Sequence, residues 1–232
     1  MIVDFQKIQE TNIGNNAPNN KYSTFQKDIM VRERIIQTAF EQFSQYGIKS
    51  ISMDMIARLI GISKRTIYGY FNDKEELLTE GIGFYSAKVR QLSDIVYKES
   101  SSVLEAIILF HKKRMQNPRW YTSRFYNDLH KFPKAIKRLE EEKTNFANEC
   151  LLLFMRGVQE GVFRKDINFE IISFLAKDQI EMQRPEKKYP GHSLAEIYTT
   201  MLLIFLRGIC TEKGRAIMDT QAQAILINDK QL

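Results

Sequence analysis

The sequence is poor in several residue types, and each shortage excludes something. Its 232 residues include two cysteines, five prolines, eleven glycines, one tryptophan and three histidines. Two cysteines exclude a disulfide-built scaffold. Cys150 and Cys210 both stand among apolar neighbours in helical patterns, as reduced core residues of a cytosolic protein do. So little proline and glycine argues against a loop-heavy all-β fold. The most apolar stretch, Met201 to Leu206, ends at Arg207, far short of the roughly 20 residues that a membrane-spanning helix needs. Asp4 near the start, with no apolar run, argues against an export signal. The expected location is therefore the cytoplasm, with no membrane partner. His111, His130 and His192 are far apart, and none sits at metal-ligand spacing with a Cys or a carboxylate. No metal and no other cofactor is expected. A phosphate loop, a Gly-x-Ser-x-Gly elbow and a nucleophile–base pair are all missing, so the chain does not read as an enzyme.

What is present points to a large helical protein. Apolar residues make up 44% and aromatic residues 11%, enough for a sizeable core and too many for wholesale disorder. The net charge of +6 suits an anionic partner without proving one. Residues 1–26 read as a disordered tail, because the run from Asn12 to Asn20 has breakers and no apolar period. Beyond it nearly every segment has a helical period, and no strand signal or internal repeat is found. The expected fold is all-α. A helix-turn-helix domain occupies residues 27–74, and a helical bundle for ligand binding and dimerisation occupies 75–232.

The most informative stretch runs from Ile48 to Leu78. Ser52 stands where an N-cap belongs, with Ile51 and Ile56 spaced as a hydrophobic staple. Ser63, with Ile62 and Ile67, repeats the device. Gly61 lies in the short gap and can take a positive φ. Two short helices joined by a tight glycine turn make a helix-turn-helix. At 100° per residue, Ile67 and Phe71 share the inner side of the second helix, while Arg65 and Gly69 point nearly opposite. Thr66 lies beside them, Tyr68 and Tyr70 flank the edges, and Lys64 sits at the exposed N-terminal end. Such a face suits a major groove: basic and small polar groups meet base edges, and tyrosine hydroxyls meet phosphates. Glycine in an exposed helix interior costs roughly 1 kcal/mol against alanine, and close approach to DNA at Gly69 gives that cost a reason. A solvated helix face with one tolerated glycine is the plainer reading. Asp73 and Glu76 are spaced as a capping box for the next helix, and Lys74 stands at its N-terminus, where a phosphate is favoured. From Lys21 to Lys74 nine Lys and Arg face five Asp and Glu.

These residues resemble the TetR family of bacterial transcriptional regulators. The resemblance is carried by the run Arg34 to Gly47, by Met55-Ile56-Ala57, by Gly61-Ile62-Ser63, and by Thr66-Ile67-Tyr68-Gly69-Tyr70-Phe71-Asn72-Asp73-Lys74-Glu75-Glu76-Leu77-Leu78. It covers roughly residues 28 to 80. It implies a homodimer that sets its third helix into successive major grooves of a palindromic operator, and a small molecule that releases it. The implied DNA contacts are Ser52, Lys64, Arg65, Thr66, Tyr68, Tyr70 and Lys74. Two positions depart from the family pattern: Tyr70 stands where many members have histidine, and Arg65 where a small residue is common. Arg65 is then expected to read a guanine by a bidentate contact.

The C-terminal part is rich in rings. Phe84, Phe110, Trp120, Tyr121, Phe125, Tyr126 and Phe154 are candidates to line a ligand pocket, although ordinary core packing is the plainer reading of each. From Leu104 to Asn145 ten Lys and Arg face five Asp and Glu, so the expected ligand is a small hydrophobic or anionic amphiphilic molecule. A solvated basic face explains the charge equally. Apolar stripes at Ile172 and Leu175, and at Met201, Leu202 and Phe205, suggest a dimer interface as an intersubunit four-helix bundle. The alternative is a helix-turn-helix protein of the same fold without a small-molecule inducer, controlled by a protein partner.

Overall fold

The computed structural model of the protein describes residues 20–116, 122–180 and 191–226. Among them the chain is helical, with no strand and one isolated antiparallel bridge between Phe163 and Cys210. Residues Met1–Arg34 and Ile35–Leu232 are separate units. Of the first, the described part is the start of helix α1 (Asn20–Tyr46), which corrects the expected tail: residues 20–26 are helical, and 1–19 lie outside the described residues.

In the second unit, α1 buries Ile35, Ile36, Ala39, Phe40 and Phe43, the stripe read from the sequence. Gly47, at φ +89°, ends it. Next come α2 (Met53–Ile60), α3 (Lys64–Tyr70) and α4 (Lys74–Glu99). Asp73 caps α4 by accepting from the Glu76 N–H at 2.7 Å. The reciprocal bond differs from a capping box, since Glu76 accepts from the N–H of Asn72, one residue further back. Close packing of α4 on α1 depends on Gly81, where a Cβ would stand 2.6 Å from the Phe40 ring.

The remaining helices are α5 (Val103–Gln116), α6 (Ser123–Leu129), α7 (Pro133–Gln159), α8 (Phe169–Ile180), α9 (Leu194–Ile209) and α10 (Glu212–Leu226). Pro133 opens α7, where a missing N–H costs nothing. Ser193 and Glu196 form a full capping box on α9. The core of this half joins Val103, Leu104 and Ile108 of α5 to Phe154 of α7, Phe169 of α8, Leu203 and Leu206 of α9, and Met218 of α10. The α7–α8 turn is tied to the end of α9 by Arg164 N–H to Ile209 O (2.9 Å) and Thr211 N–H to Val162 O (3.0 Å). No helix among the described residues is long and apolar enough to cross a membrane.

Candidate DNA-binding site

The site is built by two serine caps and one glycine. The Ser52 hydroxyl accepts from the Met55 N–H at 3.1 Å, and the Ser63 hydroxyl accepts from the Thr66 N–H at 3.0 Å. Between them Gly61 adopts φ +74°. Its N–H donates to Arg58 O, and the Ile62 N–H donates to Ala57 O, the double closure of a Schellman turn. Ile51, Ile56, Ala57, Ile67 and Phe71 are all buried. They fix α3 against α2 by its inner side.

The outer side is largely exposed. Lys64, Arg65, Thr66, Tyr68 and Gly69 are exposed, and Tyr70 is half-buried. A Cβ at Gly69 would meet nothing within 4 Å, so packing inside the chain gives no reason for glycine there. Not every group on this face is equally available. The Lys64 ammonium lies 3.0 Å from the Asp54 carboxylate, and that hydrogen bond raises its pKa above the ordinary lysine value. The Thr66 and Ser63 hydroxyls are 2.8 Å apart. Arg65 is in no ion pair among the described residues. Asp54 was not legible as part of the site: it lies on another helix, ten residues from Lys64, and no periodicity links the two.

Lys74 departs from its expected role. Its Nζ donates to Ile48 O and Ile51 O, both at 2.9 Å, and burial lowers its pKa. The side chain ties the start of α4 to the α1–α2 connection and is not presented for a phosphate.

Residues 35–80 match the bacterial regulatory proteins of the tetR family. An HTH-type transcriptional regulator of Staphylococcus aureus (strain MRSA252) is 27% identical over 163 residues, covering 62% of this chain and 86% of the relative. Over residues 35–80 the chain thus carries the N-terminal domain of tetR-family regulators. It is also 35% identical over 63 residues to the HTH-type regulator YhgD of Bacillus subtilis, covering 27% of the chain and 33% of YhgD. Its fold is that of solved regulators. One from Saccharomonospora viridis in complex with choline has TM-score 0.67 and 16% identity, covering 79% of this chain and 100% of that one. A TetR-family regulator from Agrobacterium tumefaciens has TM-score 0.66 and 14% identity, covering 79% and 99%. The protein is a DNA-binding transcriptional regulator with an N-terminal helix-turn-helix and a C-terminal helical domain.

Among the described residues, the candidate aromatic side chains of the C-terminal half do not converge on one cavity. Phe125 is fully buried, edge-on to Phe40 of α1 at 6.1 Å. Phe154 is buried among Phe163, Phe169 and Phe205. Both are core residues, at 0% and 6% exposure. Phe84 packs edge-on against Tyr85, with the Lys88 ammonium 4.4 Å above it. Phe110 faces Phe146 at 6.4 Å. Tyr126 lines a pocket of about 210 Å³ between α6 and α7, with Leu129, His130, Ile136, Leu139, Glu140 and Lys143. Trp120 and Tyr121 lie outside the described residues.

The candidate dimer residues divide in the same way. Ile172, Leu202 and Phe205 pack on the core, and Met201 is half-buried. Leu175 is exposed, and it is joined by Ile171, Phe174 and Ile204, at 51–68% exposure. The sequence did not mark Phe174 as exposed, because the stripe on its helix is too broad for periodicity to tell the inner edge from the outer one.

Proposed function

We propose that the protein represses transcription by binding a palindromic operator as a homodimer, and that a small amphiphilic molecule releases it. The observation that carries this reading is the outer face of α3, where Arg65, Tyr68 and Gly69 stand exposed on a helix fixed from behind by Ile67. Arg65 reads a guanine, Tyr68 and Tyr70 reach phosphates on either side, and Ser52, Lys64 and Thr66 flank them. The exposed apolar side chains Ile171, Phe174 and Leu175 of α8 and Ile204 of α9 are what a second copy covers, since exposed apolar ground of this kind marks an interface. We divide the chain into a DNA-binding part at 27–74 and a ligand and dimerisation part at 75–232. Its work is in the cytoplasm and involves no catalysis.

A second reading is supported by the scatter of the aromatic side chains: control by a protein partner, with no small inducer. Selection of bound duplexes from a random DNA pool, at two salt concentrations, tests the main reading. A palindrome with half-sites about 34–36 Å apart, or a multiple of that, supports it. Weak binding that salt abolishes, with no enriched sequence, rejects it.

A further inference from the structure

The attraction of a protein for DNA of any sequence is set by how many cations it can bring to phosphates. Helix α3 carries two, Lys64 and Arg65, and they are not equivalent. A carboxylate of the neighbouring helix stands on the first: Asp54 Oδ2 accepts from Lys64 Nζ at 3.0 Å. Arg65, the next residue, is in no ion pair among the described residues. The reading face therefore presents one cation at full strength and one already matched by an acid.

The acid is the fixed member of the pair. Asp54 lies in the first turn of α2, where the helix dipole and the unpaired N–H groups favour a carboxylate. Lys64 reaches across to it from α3, with Nζ 5.8 Å from the centroid of the Tyr68 ring. Both side chains are open to solvent, so the pair adds little to stability. An acid beside a face meant for phosphates also works against binding. Such an arrangement makes sense as a device of specificity, which is a difference of affinities and grows when the wrong complexes are weakened.

We propose that Asp54 is a positioning residue that sets sequence specificity: it withholds the Lys64 charge from DNA of arbitrary sequence and leaves Arg65 as the working cation of α3. The proposal rests on the DNA-reading function above and deepens it. Asp54 acts through Lys64. On an operator the base contact of Arg65 fixes where α3 lies, and a released Lys64 cannot move the helix toward a new phosphate. On other DNA nothing fixes α3, and a released Lys64 gains one.

The test titrates the full-length protein against a duplex of scrambled sequence and against the selected palindrome over a series of salt concentrations. Asp54→Asn is expected to bind the scrambled duplex about five- to tenfold more tightly at low salt, with the slope of log affinity against log salt steeper by about 0.9 for each helix-turn-helix engaged. Palindrome affinity is expected to rise by less than about twofold, since base contacts carry the choice of site. Asp54→Glu is expected to restore the wild-type slope. Made in a Lys64→Ala background, Asp54→Asn is expected to bring no gain, because the two residues act as one unit. An unchanged slope overturns the proposal, and so does an equal gain on both duplexes. A gain that persists without Lys64 overturns it as well, because Asp54 then repels phosphate directly. Should Asp54→Asn not fold, Asp54→Ser is read in the same way. Failure of the DNA reading looks different: the wild-type protein enriches no palindrome. Elution from heparin, a polyanion without base sequence, then decides. Later elution of Asp54→Asn that depends on Lys64 is the supporting result, and elution that ignores Lys64 is the overturning one.

Discussion

Arg138 Nη2 lies 2.7 Å from the carboxylate of Glu142, one turn along α7, and Arg90 of α4 reaches the other oxygen of the same group. Glu142 is 6% exposed, while both arginines keep a third or more of their side chains in solvent. The buried partner is therefore the acid, and it joins the long helices α4 and α7. Gly83 on α4 makes room for it, since a Cβ there would stand 2.7 Å from Arg138 Nη2. Glu142→Gln is expected to destabilise the protein by about 1–3 kcal/mol, the range for losing a charged partner at a partly buried site. Urea unfolding at neutral pH measures it, and a loss below 0.5 kcal/mol, about what a surface pair contributes, would show that the pair does not hold α4 to α7.

Gly69→Ala separates stability from function. Nothing lies within 4 Å of the added methyl, so the variant is expected to gain roughly 0.5–1 kcal/mol of stability from helix propensity. Its affinity for the selected palindrome is expected to fall, because the methyl stands on the exposed face of α3 that we propose reads DNA. Thermal unfolding and DNA titration on one sample read both. A variant that is more stable and binds normally removes Gly69 from the interface.

Arg65→Ala is expected to cost about 1–3 kcal/mol of binding and to relax selection at one base pair per half-site. Repeating the random-pool selection with the variant shows this directly. A uniform loss of affinity with the sequence preference intact would make Arg65 a phosphate contact.

Gly157→Ala should act in the core. The new Cβ would lie 2.2 Å from the Phe163 ring, which is itself fully buried. Overpacking of this kind costs typically 1–3 kcal/mol. A denaturant midpoint equal to that of the wild type would show that the ring has room to move.

Burial pushes the Cys150 thiol up to about 12 and the Cys210 thiol up to about 11. A group whose folded pKa is raised contributes stability below its unfolded pKa and loses it as pH climbs toward the folded value. Stability is thus expected to fall above pH 9, by an amount on the order of 1 kcal/mol at pH 10.5 that Cys150→Ala removes. Urea unfolding at pH 8 and 10.5 compares the two proteins. Neither thiol should react with iodoacetamide in the native protein at pH 8.

The local frame of α2 and α3 was legible in the sequence. Ser52, Gly61 and Ser63 are local devices, each defined by its own few neighbours, and Ile67 against Arg65 is settled by helical geometry alone. The C-terminal half was legible as helices and illegible as a site. Phe125 and Phe154 are buried by rings that stand far off in sequence, at Phe40 and Phe205, and a helical period does not say which partner a ring will meet. Lys74 misled for the same reason. Its place at a helix N-terminus is a local fact, whereas the carbonyls of Ile48 and Ile51 that claim it belong to the connection between two earlier helices.

The one isolated bridge among the described residues pairs Phe163 with Cys210, and so closes a loop that contains α8 and α9. Once such a loop is closed, the entropy of the chain inside it depends only weakly on length, at about 0.6 kcal/mol per doubling. The end of α7 and the start of α10 are held together by bonds of their own, with Arg164 N–H on Ile209 O and Thr211 N–H on Val162 O beside the bridge. Whatever moves α8 or α9 along its axis meets this tie first, so α7 and α10 are expected to keep their mutual register when the helices between them shift.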